Sequence, residues 1–183
     1  TFSKGGVHPR DYKELSNKVA IRRAEVKGTL IIPMSQHIGA PAECLVNVGD
    51  EVKEGMLIGK AAGFISANIY CSVPGVVKEI KDIYLASGMK VKAVVIETSG
   101  DFKEGEVVYE KSDWQQLSSK EIIDKIALAG VVGLGGATFP TNVKYMVPPD
   151  SKVEALVINA VECEPYLTAD HRVMLEQTEE LFE

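Results

Sequence analysis

Two stretches hold the residues whose types and spacing could do chemistry: Gly130–Lys144, GVVGLGGATFPTNVK, and Asn159–Asp170, NAVECEPYLTAD. In the first, Gly130, Gly133, Gly135 and Gly136 lie close together. Glycine permits positive φ and lets another group approach the main chain closely. Successive free N–H groups in such a turn make a concave anion nest suited to a phosphate. A helix N-terminus beside it would add partial positive charge, and Lys144 supplies a cation. In the second stretch, Asn159, Glu162 and Glu164 fall at the end of the apolar run Ala155–Val161. That run is short and apolar, as a buried parallel strand should be. Ligands of open α/β sheets bind outside the carboxyl ends of strands. Together the stretches outline a nucleotide or flavin site; for the glycines taken alone, a simple tight turn is the rival reading.

The elements that must position these residues are legible nearby. Ser118 stands three residues before Glu121, a capping-box spacing, and predicts a helix over Ser118–Ala129. Ile122, Ile123 and Ile126, with Leu128 or Ala129, form its apolar stripe. Gly130 follows as a left-handed C′ residue, so it stops the helix and stays outside the site. Pro140 suits a turn or the first position of a short helix through Lys144, ended by Pro148–Asp150. Thr168 is placed to cap a last helix, Ala169–Phe182.

Upstream, Glu25–Glu97 reads as all-β, with short apolar runs between turn signals. The runs are Gly28–Ile32, Ala42–Val48, Met56–Lys60, Ile69–Cys71, Val76–Ile80 and Val91–Thr98. VGDEVKEGMLIG followed by SVPGVVKEI has the layout of biotinyl and lipoyl domains, small barrel sandwiches with glycines at their hairpins. A carrier domain needs a lysine at the tip of the intervening hairpin. That place falls at Phe64 or Ile65 in GFISANIY, which has no lysine. The region therefore reads as the carrier fold without the carrier, a docking platform with no lipoyl or biotin group. The fold class is a two-part α+β chain: an all-β barrel-sandwich hybrid, then the start of an α/β domain. The parts are an extension at 1–24, the barrel at 25–98, a linker at 99–117 with its boundary near Gly100–Lys111, and the α/β part at 118–183. Trp114, in the linker, reads as a cap on an apolar seam between the two parts.

The chain has 183 residues, 45% of them hydrophobic and 25% charged, a globular composition. A formal charge of −6 argues against nucleic acid as the partner. No apolar run has the length of a membrane span, and Thr1–Ala20 shows no signal peptide. Cys44, Cys71 and Cys163 are far apart, which suggests a reducing compartment and no metal or iron–sulfur site in this stretch. Cys163, between two acids, reads as structural. His8 reads as a loop histidine, and His37 as a histidine hydrogen-bonded within a turn set by Gly39 and Pro41. The missing initial Met and the stop after an amphipathic segment suggest the ends of a cut chain.

GLGGATFPTNVK and NAVECEPYLTADHR closely resemble the paired motifs of the flavin-binding subunit of respiratory complex I and its relatives. GGVHP with a lysine, Lys13, shortly after it, and PMSQHIGAPAE at Pro33–Glu43, resemble the C subunits of Rnf electron-transport complexes. The resemblance covers nearly the whole chain but less than half of a typical subunit. It implies an α/β domain of the complex I type, with FMN held by Gly133, Gly135, Gly136, Lys144, Asn159 and Glu162. It implies NADH as substrate, with Phe139 stacking on it and Glu164 facing it. A solvated lysine and a core phenylalanine are the rival readings of Lys144 and Phe139. Two 4Fe–4S clusters would lie beyond Glu183. The implied partners are the other Rnf subunits, membrane subunits included, and indirectly ferredoxin. The implied place is the cytoplasmic face of the membrane, as a peripheral part of an ion-translocating NADH oxidoreductase. Two departures bear on the NADH contacts: Leu134 stands where the complex I pattern has a basic residue, and Val161 where it has an acid. A docking fragment without activity, and the related cobalamin reductase of bacterial microcompartments, are the competing readings.

Overall fold

Among the described residues, seven strands alternate with tight turns through the first half of the chain. They are β1 (Thr29–Pro33), β2 (Glu43–Cys44), β3 (Glu51–Val52), β4 (Leu57–Lys60), β5 (Ile69–Tyr70), β6 (Gly75–Tyr84) and β7 (Lys90–Thr98). The structure is a computed structural model that describes residues 9–22, 24–99, 113–135, 137–148, 150–162 and 164–182. His8, Gly136, Cys163 and the expected boundary at Gly100–Lys111 lie outside the described residues. Contacts divide the chain into two compact units, Val26–Ser151 and the pair Thr1–Glu25 with Lys152–Glu183.

In the first unit the strands form two antiparallel sheets, ordered β1-β7-β6-β3 and β2-β4-β5. Their inner faces enclose one core, with Ile32, Met34, Val52, Val77, Val94 and Ile96 against Ile58 and Ile69. This is the expected barrel-sandwich hybrid. The long hairpin β6–β7 departs from simple alternation. Val77 pairs with Ile96 and Glu79 with Val95, leaving Lys78 as a bulge residue. The bulge lets Lys78 and Glu79 both face solvent while Val77 stays buried and Ile80 packs on the core. β6 also runs four residues past the expected end at Ile80, because Lys81–Tyr84 pair with Lys90–Ala93. The hairpin between β4 and β5 carries Phe64 at its tip, 72% exposed.

His37 is buried, and its Nε2 accepts the Ala67 N–H at 3.0 Å. It is the turn histidine that the sequence suggested. Cys71 is also buried, and its Sγ donates to the Val73 carbonyl at 3.0 Å. Burial pushes its thiol up from the ordinary cysteine range. Alkylation at about pH 8 should therefore spare Cys71 in the folded chain and label it after denaturation. Peptide mass mapping would show this, and rapid native labelling would contradict it.

Helix α1 (Ser119–Leu128) follows, with Ser118 and Glu121 forming the predicted capping box. The Leu128 carbonyl at its end accepts from Asn68 Nδ2 at 3.0 Å and from the Tyr70 hydroxyl, which fastens α1 to β5. Gly130 has φ +68°, and a Cβ there would lie 2.3 Å from the Asn68 carbonyl oxygen. Trp114 does not cap a seam. It sits on a single 3-10 turn, Trp114–Gln116, and is 56% exposed.

In the second unit, Ala155–Val161 is not a strand: it joins no ladder among the described residues, and Val157 is 86% exposed. The run has the composition of a strand, but a strand exists only where a neighbour takes its hydrogen bonds. Fast amide hydrogen exchange is expected across Ala155–Ile158 in this chain, at rates near those of an unfolded peptide. Strong protection measured there would mean that a ladder forms.

The expected last helix is two, α3 (Ala169–Glu176) and α4 (Thr178–Phe182). Gln177 leaves helical geometry between them, with φ −129° and ψ 38°. Thr168 occupies the N-cap of α3, but its hydroxyl makes no cap bond and donates to Ser16 Oγ. The segment Arg10–Ile21 lies along α3, with the Arg172 guanidinium donating to the Asn17 carbonyl at 3.0 Å. Arg172 and the Ile21 N–H both bind Glu176, and they hold its carboxyl below the usual carboxylate range.

Candidate functional site

The glycine loop is a hairpin closed at its base. Val132 and Pro140 form an antiparallel bridge, and the Thr141 N–H donates to the Val131 carbonyl at 3.0 Å. Inside that bridge the Gly133 N–H donates to the Phe139 carbonyl at 2.9 Å, and the Thr138 N–H to the Gly135 carbonyl at 3.0 Å. Pro140 then starts the one-turn helix α2 (Thr141–Lys144), which brings Lys144 back to the loop. A Cβ on Gly133 would stand 2.5 Å from Lys144 Nζ, so the ammonium rests where a larger residue would have its side chain.

Three details differ from the expected nest. The Gly133 amide is engaged by the Phe139 carbonyl, so in this structure it is not a free donor. Gly133 and Gly135 are not at positive φ; the left-handed residue is Thr138, at φ +43°, an unusual place for a β-branched side chain. Such strain concentrates in ligand-binding segments. The helix that enters the loop, α1, presents its carboxyl end, and α2 is too short to add much dipole. The positive charge therefore comes from Lys144.

What remains is a donor set suited to an anion. Among the described residues the amides of Leu134 and Gly135 have no acceptor. Leu134 is 94% exposed, and a Cβ on Gly135 would meet nothing within 4 Å. Two free main-chain donors, open space over a glycine and an ammonium beside it fit a phosphate group. Phe139 is half-buried at the foot of the loop.

The second stretch is organised by α3 rather than by a strand end. Asn159 Oδ1 accepts the Val161 N–H at 3.0 Å, a local turn. Glu162 Oε1 accepts the Asp170 N–H at 2.9 Å, so Glu162 caps α3 in place of Thr168. Glu164 is exposed, and its carbonyl accepts from Lys13 Nζ at 3.1 Å. Thus Gly133, Gly135, Phe139 and Lys144 come together in one unit, and Asn159, Glu162 and Glu164 in the other. Sequence reasoning passed over Thr138, Tyr12, Lys13 and Tyr166. A lysine after GGVHP was the only signal for any of them; left-handed backbone at Tyr12, Thr138 and Tyr166 leaves no mark in composition.

A family model described as the RnfC barrel sandwich hybrid domain matches residues 1–101, more than half of the chain. The chain belongs to the RnfC family. A second model, the Nuo51 FMN-binding domain, matches residues 126–183, which include both motif stretches. Among curated relatives, one from Clostridium ljungdahlii is 46% identical over 97% of this chain and 39% of its own length. It is named as the C subunit of a proton-translocating ferredoxin:NAD(+) oxidoreductase complex. A relative from Acetobacterium woodii, named as the C subunit of the Na(+)-translocating complex, is 42% identical over 97% of this chain and 40% of its own. A third, from Rhodobacter capsulatus, is named as the C subunit of an ion-translocating oxidoreductase complex, 38% identical over 97% of this chain and 34% of its own. The chain thus spans about two fifths or less of the length of these relatives. The two halves of the chain thus match two domain families, the second of them described as FMN-binding.

Proposed function

We propose that this RnfC chain is part of the NADH-oxidising subunit of an Rnf-type complex, and that the loop Gly133–Phe139 with Lys144 holds the phosphate of FMN. The observation that carries this is the Lys144 ammonium seated at Gly133, beside the free amides of Leu134 and Gly135, inside a match to an FMN-binding domain. Gly136 completes the loop in this reading, and Asn159 and Glu162 face the ring or ribityl chain. Glu162 would then exchange or share its bond to the Asp170 amide. Phe139 and Glu164 meet NADH. FMN, when bound, supplies hydride acceptance and one-electron release. The protein's part is to fix the phosphate, orient the donor and keep the acids near the ligand solvated or paired.

The iron–sulfur clusters that would take the electrons belong beyond Glu183. Coupling to ferredoxin and to ion movement comes from what the relatives are named for. Relatives of 46% and 42% identity carry different ions in their names, so identity in this stretch does not track the ion. No helix among the described residues is long and apolar enough to cross a membrane. A peripheral place on the cytoplasmic face, against membrane subunits, is part of the same proposal. The barrel, with Phe64 at the tip where a carrier would have lysine, is the part that contacts them.

The test uses the full-length RnfC protein with this sequence. It should release FMN on denaturation, identified by chromatography, and reduce ferricyanide with NADH. A full-length protein that refuses FMN when titrated with it, yet folds, would leave only the docking reading.

A further inference from the structure

We propose that Arg10–Ile21 is a strap that positions the second motif for the flavin, with Lys13 as its positioning residue; this rests on the FMN reading above. Between Glu164 and Leu167 the main chain belongs to no helix or strand. Four of its main-chain groups bond instead to the strap. Lys13 Nζ donates to the carbonyls of Glu164 and Leu167, at 3.1 and 2.7 Å. Ser16 Oγ donates to the Tyr166 carbonyl at 2.9 Å, and the Tyr166 N–H donates to the Asp11 carbonyl at 2.6 Å. The Tyr12 and Tyr166 rings stack with centroids 5.0 Å apart and planes within 7° of parallel, and the Arg10 guanidinium lies 4.6 Å from the Tyr12 ring centre.

Both stacked residues are left-handed, Tyr12 at φ +51° and Tyr166 at φ +68°. Bulky side chains hold that backbone only where surrounding contacts over-determine it. Here the contacts come from a segment some 150 residues away in the chain, as the separation of 151 between Lys13 and Glu164 shows. A local turn needs no such partner. The strap holds the backbone on both sides of Pro165, at Glu164 itself and two residues after Glu162, the two acids assigned to the ligands. Without it those acids would sample more conformations, and ordering them on ligand binding would weaken affinity. An ammonium bound by two carbonyls makes charge-assisted bonds, the stronger kind.

The experiment compares full-length RnfC proteins by FMN titration, visible circular dichroism of the bound flavin and hydrogen exchange at the Tyr166 amide. Lys13→Met should raise the FMN dissociation constant about tenfold, alter the flavin dichroism and speed Tyr166 exchange about tenfold. Lys13→Arg, which keeps donors in place, should recover affinity to within about threefold. Normal affinity and dichroism in Lys13→Met, while Gly135→Ala loses FMN, would overturn the strap alone and leave the phosphate site standing. Normal FMN binding in Gly135→Ala as well would remove the reading on which the strap rests. If Lys13→Met does not fold, Ser16→Ala serves, with a loss of about threefold expected; unchanged affinity there overturns the proposal.

Discussion

Gly135→Ala in the full-length RnfC protein should weaken FMN binding by about a hundredfold or more while leaving the fold intact. The two halves of that statement have separate causes. A Cβ at Gly135 meets no protein atom within 4 Å, and Gly135 is not at positive φ, so alanine fits the free loop. The space it fills is the space over the amides of Leu134 and Gly135, where the phosphate is proposed to sit. Losing two charge-assisted main-chain bonds at about 1.5–3 kcal/mol each accounts for a hundredfold loss or more. Flavin fluorescence titration, with a thermal melt as the folding control, reads both halves. Gly133→Ala is the informative contrast. Its Cβ would crowd the tip of Lys144, a flexible side chain that can shift, so a loss of about tenfold is expected. Normal binding by Gly135→Ala would show that the loop is only a turn.

Gly130→Ala should destabilise the first unit by about 2–4 kcal/mol. The same glycine meets two demands. At φ +68° alanine costs about 1 kcal/mol in the left-handed region. Its Cβ would also stand 2.3 Å from the Asn68 carbonyl oxygen, an overlap with backbone that no rotamer change relieves. Asn68 and Tyr70 are the residues that hold the Leu128 carbonyl, so the overlap loosens α1 from β5. Urea unfolding followed by circular dichroism would measure the change. A loss below about 1 kcal/mol would mean that the neighbouring strand gives way easily and that only the φ preference acts.

Much of this arrangement was legible in the residues, wherever the determining physics is local. The capping box at Ser118 and Glu121, the glycine stop at Gly130 and the start of a short helix after Pro140 depend on neighbours within a few positions. The barrel strands were legible because period and turn glycines recur at short range, and the missing carrier lysine is a matter of counting. Motif strings placed the chain in its family and named the loop that the structure then closed with the Val132–Pro140 bridge.

The features that only the tertiary structure decided all depend on what a residue meets far along the chain. Ala155–Val161 has strand composition, but pairing is a property of two segments, and among the described residues it stays outside every ladder. Glu162 caps α3 although Thr168 holds the capping position, because Thr168 finds Ser16 instead. The Gly133 amide was expected to face a ligand, yet it closes the hairpin on Phe139, and the amides left free beside Lys144 are those of Leu134 and Gly135. Lys13 reads as one more surface charge until folding brings it to the carbonyls of Glu164 and Leu167. Sequence alone determined the capped helix, most of the barrel strands and the family, because helix caps, turn glycines and motif spacing are short-range. Which donor meets which acceptor across some 150 residues was decided by folding, because hydrogen bonds are settled by proximity in space.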